Sequence, residues 1–269
     1  MRTSLQNLPT LQITHFDSCD STNRLLLAAA ESGAPAGSVF VAREQTAGRG
    51  RRGREWVAVP GDSLTFSLLW TFPADPARLT GLSLAVGLAV VSALSEMASG
   101  QKQDVTSGLK WPNDILLMRA DGAYAKVGGI LIESALRSAS AGGKELAVVI
   151  GIGLNCANAA SLENRVNDQT VGSLSEFLAE GLSPDALLPV VLNSLFAAMN
   201  AFAQQGFATS QEAWNAHNLW QNLPVQIREG DAVLHEGICR GVDADGALCI
   251  ETAQGMERII SGDVSLRKV

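Results

Sequence analysis

The chain has 269 residues, 46% of them hydrophobic and 17% charged, which suits one large domain, or a domain with a small appendage, and excludes a disordered chain. With 27 acidic against 20 basic residues it carries a formal charge of −7, which argues against the broad basic surface of a general nucleic-acid binder. Cys19, Cys156, Cys239 and Cys249 show no paired spacing, and with His15, His217 and His235 they make no zinc motif, so free thiols in a reducing cytoplasm are expected.

The N-terminus MRTSLQNLPT has no apolar signal core. LQITHF reads as a strand, and DSCDSTNRLLLAAAES as a turn into a helix, with Asp20, Ser21 and Thr22 as candidate caps and Gly33 as its stop. SVFVAREQ is a second strand. SLTFSLLW alternates Leu64, Phe66, Leu68 and Trp70, a strand with one apolar face. Leu79 to Met97 is uncharged up to Ser95 but short for a membrane span and dotted with Gly and Ser, so a buried helix is expected and no membrane association. GLKWPNDILLM and KVGGILIESAL read as two strands of a hairpin joined by RADGAYA, and ELAVVIGIGLN as a central strand. From Ser173 the pattern turns helical through SLSEFLAEG, PDALLPVVLNSLFAAMNAFAQQG and SQEAWNAHN. After Leu223 short alternating strands separated by Gly-Asp, Asp-Gly and Gln-Gly turns suggest a small β barrel. The expected class is α+β: a mixed-sheet catalytic domain over residues 1–221 and a small β-barrel domain over 222–269.

Four stretches carry candidate chemistry. QTAGRGRRGREW places four arginines in the six residues from Arg49 to Arg54, with glycines that permit close backbone approach to a ligand. Guanidinium groups suit phosphate or carboxylate, so the loop reads as an anion grip, against a solvated loop or an RNA-binding patch. In KWPND, Lys110 and Asp114 would project to the same face of a plain strand and could hold a phosphate, a proton or Mg²⁺; a salt bridge closing a hairpin is the plainer alternative. Lys126 precedes Gly128 and Gly129, a glycine pair suggesting close backbone approach, although a lysine beside a turn is commonly just solvated. DSTN is a helix cap that also offers hydrogen-bonding groups at a helix N-terminus. Gly151 and Gly153 in VIGIGLNC lack the third glycine of a dinucleotide fingerprint, and a Rossmann reading is rejected.

In order and approximate spacing, DSTN, QTAGRGRRGREW, KWPND, KVGGILIE and GIGLN resemble the biotin protein ligases from about His15 to Asn155. GVDADGALCIE and GDVSLR resemble that family's closing domain. The resemblance implies a mixed-sheet fold of the biotin/lipoate ligase type with helices packed on it, followed by an SH3-like β barrel. It implies activation of biotin by ATP and Mg²⁺ to biotinyl-5′-AMP, then transfer to a lysine of the biotin carboxyl carrier protein of acetyl-CoA carboxylase. A lipoate or octanoate ligase of the same fold is the alternative.

By the same resemblance Ser21, Thr22, Asn23 and Gln45 lie at biotin, and Arg49, Gly50 and Arg51 form the loop over biotin and the adenylate. Lys126 contacts the carboxylate and phosphate, while Lys110, Asn113 and Asp114 serve the nucleotide and Mg²⁺. Trp56 lies near adenine and Asn155 at the adenylate. Arg51, Lys110, Asp114 and Lys126 are thus the expected catalytic set, with Asp114 accepting or steering a proton. Only about twenty residues precede DSTN, so no DNA binding is expected. Open strand edges near GGILIE could pair subunits into a homodimer or dock the carrier domain.

Overall fold

The computed structural model describes residues 9–98, 106–139, 142–159, 170–178, 183–260 and 265–268. Gln12–Cys19 forms the first strand (β1) and Thr22–Glu31 the first helix (α1), which stops before Gly33 at φ 95°. β2 (Ser38–Gln45) and β3 (Ser63–Pro73) flank the arginine loop. Leu64, Phe66, Leu68 and Trp70 of β3 face the main core, as their alternation predicts. The opposite face is buried too, because Leu69 packs with Ala147 and Val149 beneath Leu26 and Ala30 of α1.

The apolar segment after β3 is broken where a single helix is expected. Pro76–Leu79 is one 3₁₀ turn, Gly81 takes φ 77°, and α2 proper runs from Leu82 to Met97. α2 packs in the main core with α3 (Pro184–Gln205), where Ser194 Oγ donates to Ala89 O at 2.8 Å. The whole segment Pro76–Met97 and α3 each have the length and apolarity of a membrane span, but α2 fills the interior beneath the sheet.

The expected first hairpin strand GLKWPNDILLM is itself a hairpin. β4 (Thr106–Lys110) and β5 (Asp114–Met118) pair antiparallel across the turn Trp111–Asn113, which contains a cis Trp111–Pro112 bond. Lys110 and Asp114 are therefore cross-strand partners rather than residues of one strand. The turn at RADGAYA then leads to β6 (Tyr124–Ser138), and β7 (Lys144–Asn155) completes a seven-stranded sheet in the order β1-β2-β3-β7-β6-β5-β4. β1 and β2 are parallel and the other neighbours antiparallel, so the sheet is mixed, with β7 central. β5 pairs with β6 only as far as Gly129, so beyond it no strand among the described residues flanks that side of β6. This is the open edge expected near GGILIE.

SLSEFLAEG forms a single 3₁₀ turn, Leu174–Glu176, instead of the expected helix, and its residues 179–181 lie outside the described residues. α4 (Gln211–His217) matches SQEAWNAHN. The C-terminal strands are β8 (Pro224–Glu229), β9 (Ala232–Val242), β10 (Leu248–Thr252), β11 (Gly255–Ile259) and β12 (Ser265–Lys268). They form an antiparallel sheet in the order β11-β10-β9-β8-β12, and among the described residues no pairing closes it into a barrel. Val225, Ile227 and Leu248 join the same core as Phe66, and Trp111 Nε1 donates to Gly246 O at 3.2 Å, so this sheet braces the β4–β5 turn.

Candidate active site

The N-terminus of α1 rests on the sheet face carrying the odd-numbered residues of β3 and β7. Ser21 is the N-cap residue, but its side chain makes no capping bond. Instead Thr22 N–H donates to Gln45 Oε1 at 2.8 Å, so a residue from the end of β2 satisfies one of the helix's free donors. Ser67 Oγ lies 2.8 Å from Thr22 Oγ1 and 2.6 Å from Asn23 Oδ1, and Asn23 Nδ2 donates to Leu131 O at 3.2 Å and Glu133 Oε2 at 3.0 Å. Ser21, Thr22 and Asn23 are buried, and this network fixes the orientation of Thr22 and Asn23 before any ligand arrives.

The close approach requires Gly151, where an added Cβ would lie 2.0 Å from Asn23 Oδ1. Gly151→Ala is expected to displace Asn23 and weaken whatever this pocket binds by about tenfold or more, since misplacing a buried hydrogen-bonding group costs about 1–3 kcal/mol. Isothermal titration with biotin would show it.

The arginine loop folds as a small hairpin. Trp56 N–H donates to Gly48 O at 3.0 Å, Gly50 N–H to Arg54 O at 2.8 Å, and a 3₁₀ turn spans Arg51–Gly53. Arg52 takes φ 60° and Gly53 φ 68°, a tight reversal that only the glycine adopts without cost. Arg49 pairs with Glu133 at 3.1 Å, and Arg51 Nη1 donates to Asn113 Oδ1 at 3.3 Å. One side of the loop thus meets the α1 network and the other meets the β4–β5 turn. Trp56, expected near adenine, lies midway: Cβ atoms added at Gly153 and Gly129 would come within 2.3 Å and 3.3 Å of its ring. The two glycines make a flat floor under the indole.

Opposite the α1 network stand Lys110, Asp114 and Lys126. Asp114 Oδ1 is 2.5 Å from Lys126 Nζ and Oδ2 is 3.3 Å from Lys110 Nζ. Burial by itself would raise the Asp114 carboxyl, but the ammonium groups of Lys126 and Lys110 outweigh it and hold it at about 2. Burial lowers the proton affinity of Lys110, against the pull of Asp114. Asn113 accepts from Ile130 N–H at 3.0 Å and donates through Nδ2 to Ile130 O at 2.9 Å, which fixes the turn.

A magnesium site built on Asp114 does not fit this arrangement. Both carboxylate oxygens face lysine ammonium groups, which leaves no oxygen of Asp114 turned to a metal cation. The triad also predicts an acid limit. Because the folded carboxyl lies below its ordinary 3.8, at about 2, its stabilisation is present above about pH 4 and lost as the pH falls through 2. Urea midpoints measured from about pH 5 downward are expected to drop over this range, and less steeply in Asp114→Asn.

All thirteen residues expected at the site line one cleft of about 370 Å³: Ser21, Thr22, Asn23, Gln45, Arg49, Gly50, Arg51, Trp56, Lys110, Asn113, Asp114, Lys126 and Asn155. Asn155 donates to Gly172 O at 3.3 Å, while its buried Oδ1 has no protein partner. The sequence reading missed Ser67, Glu133 and Arg267. Arg267 lines the cleft from β12, far along the chain. Ser67 had one signal, a polar residue within an otherwise apolar strand; Glu133 stood in the quoted KVGGILIE, but nothing there pointed to Arg49.

Residues 15–155 match the family model described as "Biotin/lipoate A/B protein ligase family", and residues 222–267 match "Biotin protein ligase C terminal domain". The chain belongs to the biotin/lipoate A/B protein ligase family and is a ligase. Within the family it is similar to biotin protein ligases. It is 34% identical to the biotin–[acetyl-CoA-carboxylase] ligase of Paracoccus denitrificans, over 91% of this chain and 96% of the relative. It is 33% identical to the bifunctional ligase/repressor BirA of Escherichia coli, over 92% of this chain and 72% of the relative. The solved biotin protein ligase of Aquifex aeolicus, in complex with biotin and ATP, superposes with a TM-score of 0.75 at 27% identity, covering 96% of this chain and 99% of the other.

Proposed function

We propose that this chain joins biotin to ATP as biotinyl-5′-AMP and then transfers biotin to a lysine of a carrier protein, the biotin carboxyl carrier protein of acetyl-CoA carboxylase. One observation carries the reading: a single cleft has the neutral hydrogen-bonding groups of Ser21, Thr22, Asn23 and Gln45 at one end and a group of cations, among them Arg51, Lys110, Lys126 and Arg267, at the other. That division suits a ligand with an uncharged polar ring and a carboxylate that must meet a polyphosphate. In this reading residues 1–221 carry the chemistry, and 222–269 form the appended sheet that returns Arg267 to the cleft. All four cysteines are unpaired, which fits a reducing compartment such as the cytoplasm.

In the first step a biotin carboxylate oxygen bonds to the α-phosphorus of ATP as the bond to pyrophosphate breaks. The difficulty is bringing anions together, and Lys126, Lys110 and Arg51 supply preorganised positive charge where negative charge gathers. The α1 network holds the ring so that the carboxylate points toward them, which supplies the proximity contribution. In the second step the carrier amine attacks the acyl carbon, AMP leaves and the nitrogen loses its proton. A free lysine titrates near pH 10.4. Asp114, held at about 2 between two ammonium groups, is a poor acceptor for that proton, and its part is to position the lysines.

The test is ATP–pyrophosphate exchange with biotin, lipoate or octanoate, followed by label transfer to a carrier domain. Exchange driven by lipoate or octanoate and not by biotin would sink the biotin reading and leave the ligase class intact.

A further inference from the structure

We infer that Trp220 is a positioning residue for Lys110, and that through it the segment entering the C-terminal sheet sets the geometry of the phosphate end of the cleft. The inference rests on the ligase reading above and concerns a residue outside every motif that carries it.

Lys110 is a buried ammonium, 6% exposed, and burial works against its charge. Asp114 lies on one side of it at 3.3 Å, but that carboxylate also serves Lys126, so one negative charge is divided between two cations. On another side the ring of Trp220 lies 4.8 Å from Lys110 Nζ. An indole face attracts a cation through its quadrupole and carries no net charge. A second carboxylate there would steady Lys110 equally well but would repel the incoming phosphates. An aromatic face holds the ammonium in place while leaving its charge available to the ligand.

The placement of Trp220 is built rather than incidental. Tyr124, the first residue of β6, meets its ring edge-on at 6.3 Å and donates through its hydroxyl to Leu219 O at 3.1 Å. Leu219 N–H donates to Leu109 O at 3.0 Å, and Asn218 forms a parallel bridge with Leu109, the residue before Lys110. Gly108 admits this contact, since a Cβ there would lie 2.6 Å from His217 O. Past Trp220, Asn222 N–H donates to Cys239 O at 2.8 Å and Cys239 N–H to Leu223 O at 2.9 Å. The segment therefore stitches the outer face of β4 to β9, and the indole is the group it delivers to the lysine.

The experiment compares wild type, Trp220→Phe and Trp220→Leu in biotin-dependent ATP–pyrophosphate exchange, with melting temperatures alongside. The leucine variant is expected to lose about tenfold in kcat/KM for ATP, with the KM for biotin within about twofold, and phenylalanine to restore ATP use to within about threefold. In wild type enriched with ¹³C-lysine, the ε-methylene of Lys110, assigned by its loss in Lys110→Arg, should be shifted upfield by the ring current. That shift should vanish in Trp220→Leu, while any shift of Lys126 from the Trp56 ring should remain.

Unchanged ATP kinetics in the leucine variant, or parallel loss of ATP and biotin use tracking a lowered melting temperature in both variants, would overturn the inference. If the leucine variant does not fold, wild type in which Lys110 is not ring-shifted overturns it, and a ring-shifted Lys110 with slowed ATP use in Trp220→Phe supports it. Wild type inactive with biotin, lipoate and octanoate alike would instead defeat the ligase reading, whatever the lysine spectrum shows.

Discussion

Lys126→Ala is expected to reduce biotin-dependent ATP–pyrophosphate exchange by about 10²- to 10³-fold, the usual cost of removing one preorganised group at a developing charge. Lys126 Nζ meets Asp114 at 2.5 Å and lies 6.0 Å from the centroid of the Trp56 ring, between the indole and the triad. It therefore faces the middle of the cleft, where the carboxylate would meet the α-phosphate. The fold should survive the change, because Asp114 keeps Lys110 as a partner and Lys126 is only partly buried. An intact circular dichroism spectrum with unchanged exchange would remove Lys126 from the chemistry. Lys126→Arg is expected to recover little, since a guanidinium fork cannot take the place of a compact ammonium beside Asp114.

Arg51→Gly is expected to slow adenylation far less than Lys126→Ala, because Lys126 and Lys110 still supply positive charge in the cleft, and to release the intermediate. Arg51 Nη1 bonds Asn113 Oδ1 at 3.3 Å, tying the loop to the β4–β5 turn, and Arg51 is also one of the cations lining the cleft. Hydrogen bonds to charged groups are worth about 1.5–3 kcal/mol, so their loss should speed escape of a bound adenylate by about 10- to 100-fold. Free biotinyl-AMP acylates exposed lysines without selection, so bystander proteins such as serum albumin should become labelled. The measurement is a streptavidin blot of a mixture of carrier domain and albumin. Label confined to the carrier domain would show that Arg51 does not retain the intermediate. Arg49 is tethered separately, to Glu133 at 3.1 Å, so Glu133→Gln should loosen the other side of the same loop.

Much of the site was legible in the chain because its residues sit in short, unusual strings. Glycines between arginines and a proline between a lysine and an aspartate depart from local rules for elements or surfaces, and such departures point to functional sites. What failed was local as well. KWPND was read as part of one strand because its apolar flanks look continuous, and only the pairing of Thr106–Lys110 with Asp114–Met118 makes it a turn. β3 was read as apolar on one face, because Ser67 and Thr65 look like solvent-facing residues until α1 and the cleft cover them.

Composition and alternation by themselves determined the α+β class and most strands and helices, since these depend on near neighbours in sequence, while the thirteen residues that the resemblance implied all line one cleft. The tertiary structure alone decided why Gly151 and Gly153 are glycines. They leave room for Asn23 and Trp56, residues about a hundred or more positions away. It alone gave Asp114 two lysines and so a carboxyl near 2. It alone brought Arg267 into the cleft and Trp220 against Lys110. Space, charge and close packing between distant segments are set by how the sheet and helices come together, and no local pattern records them.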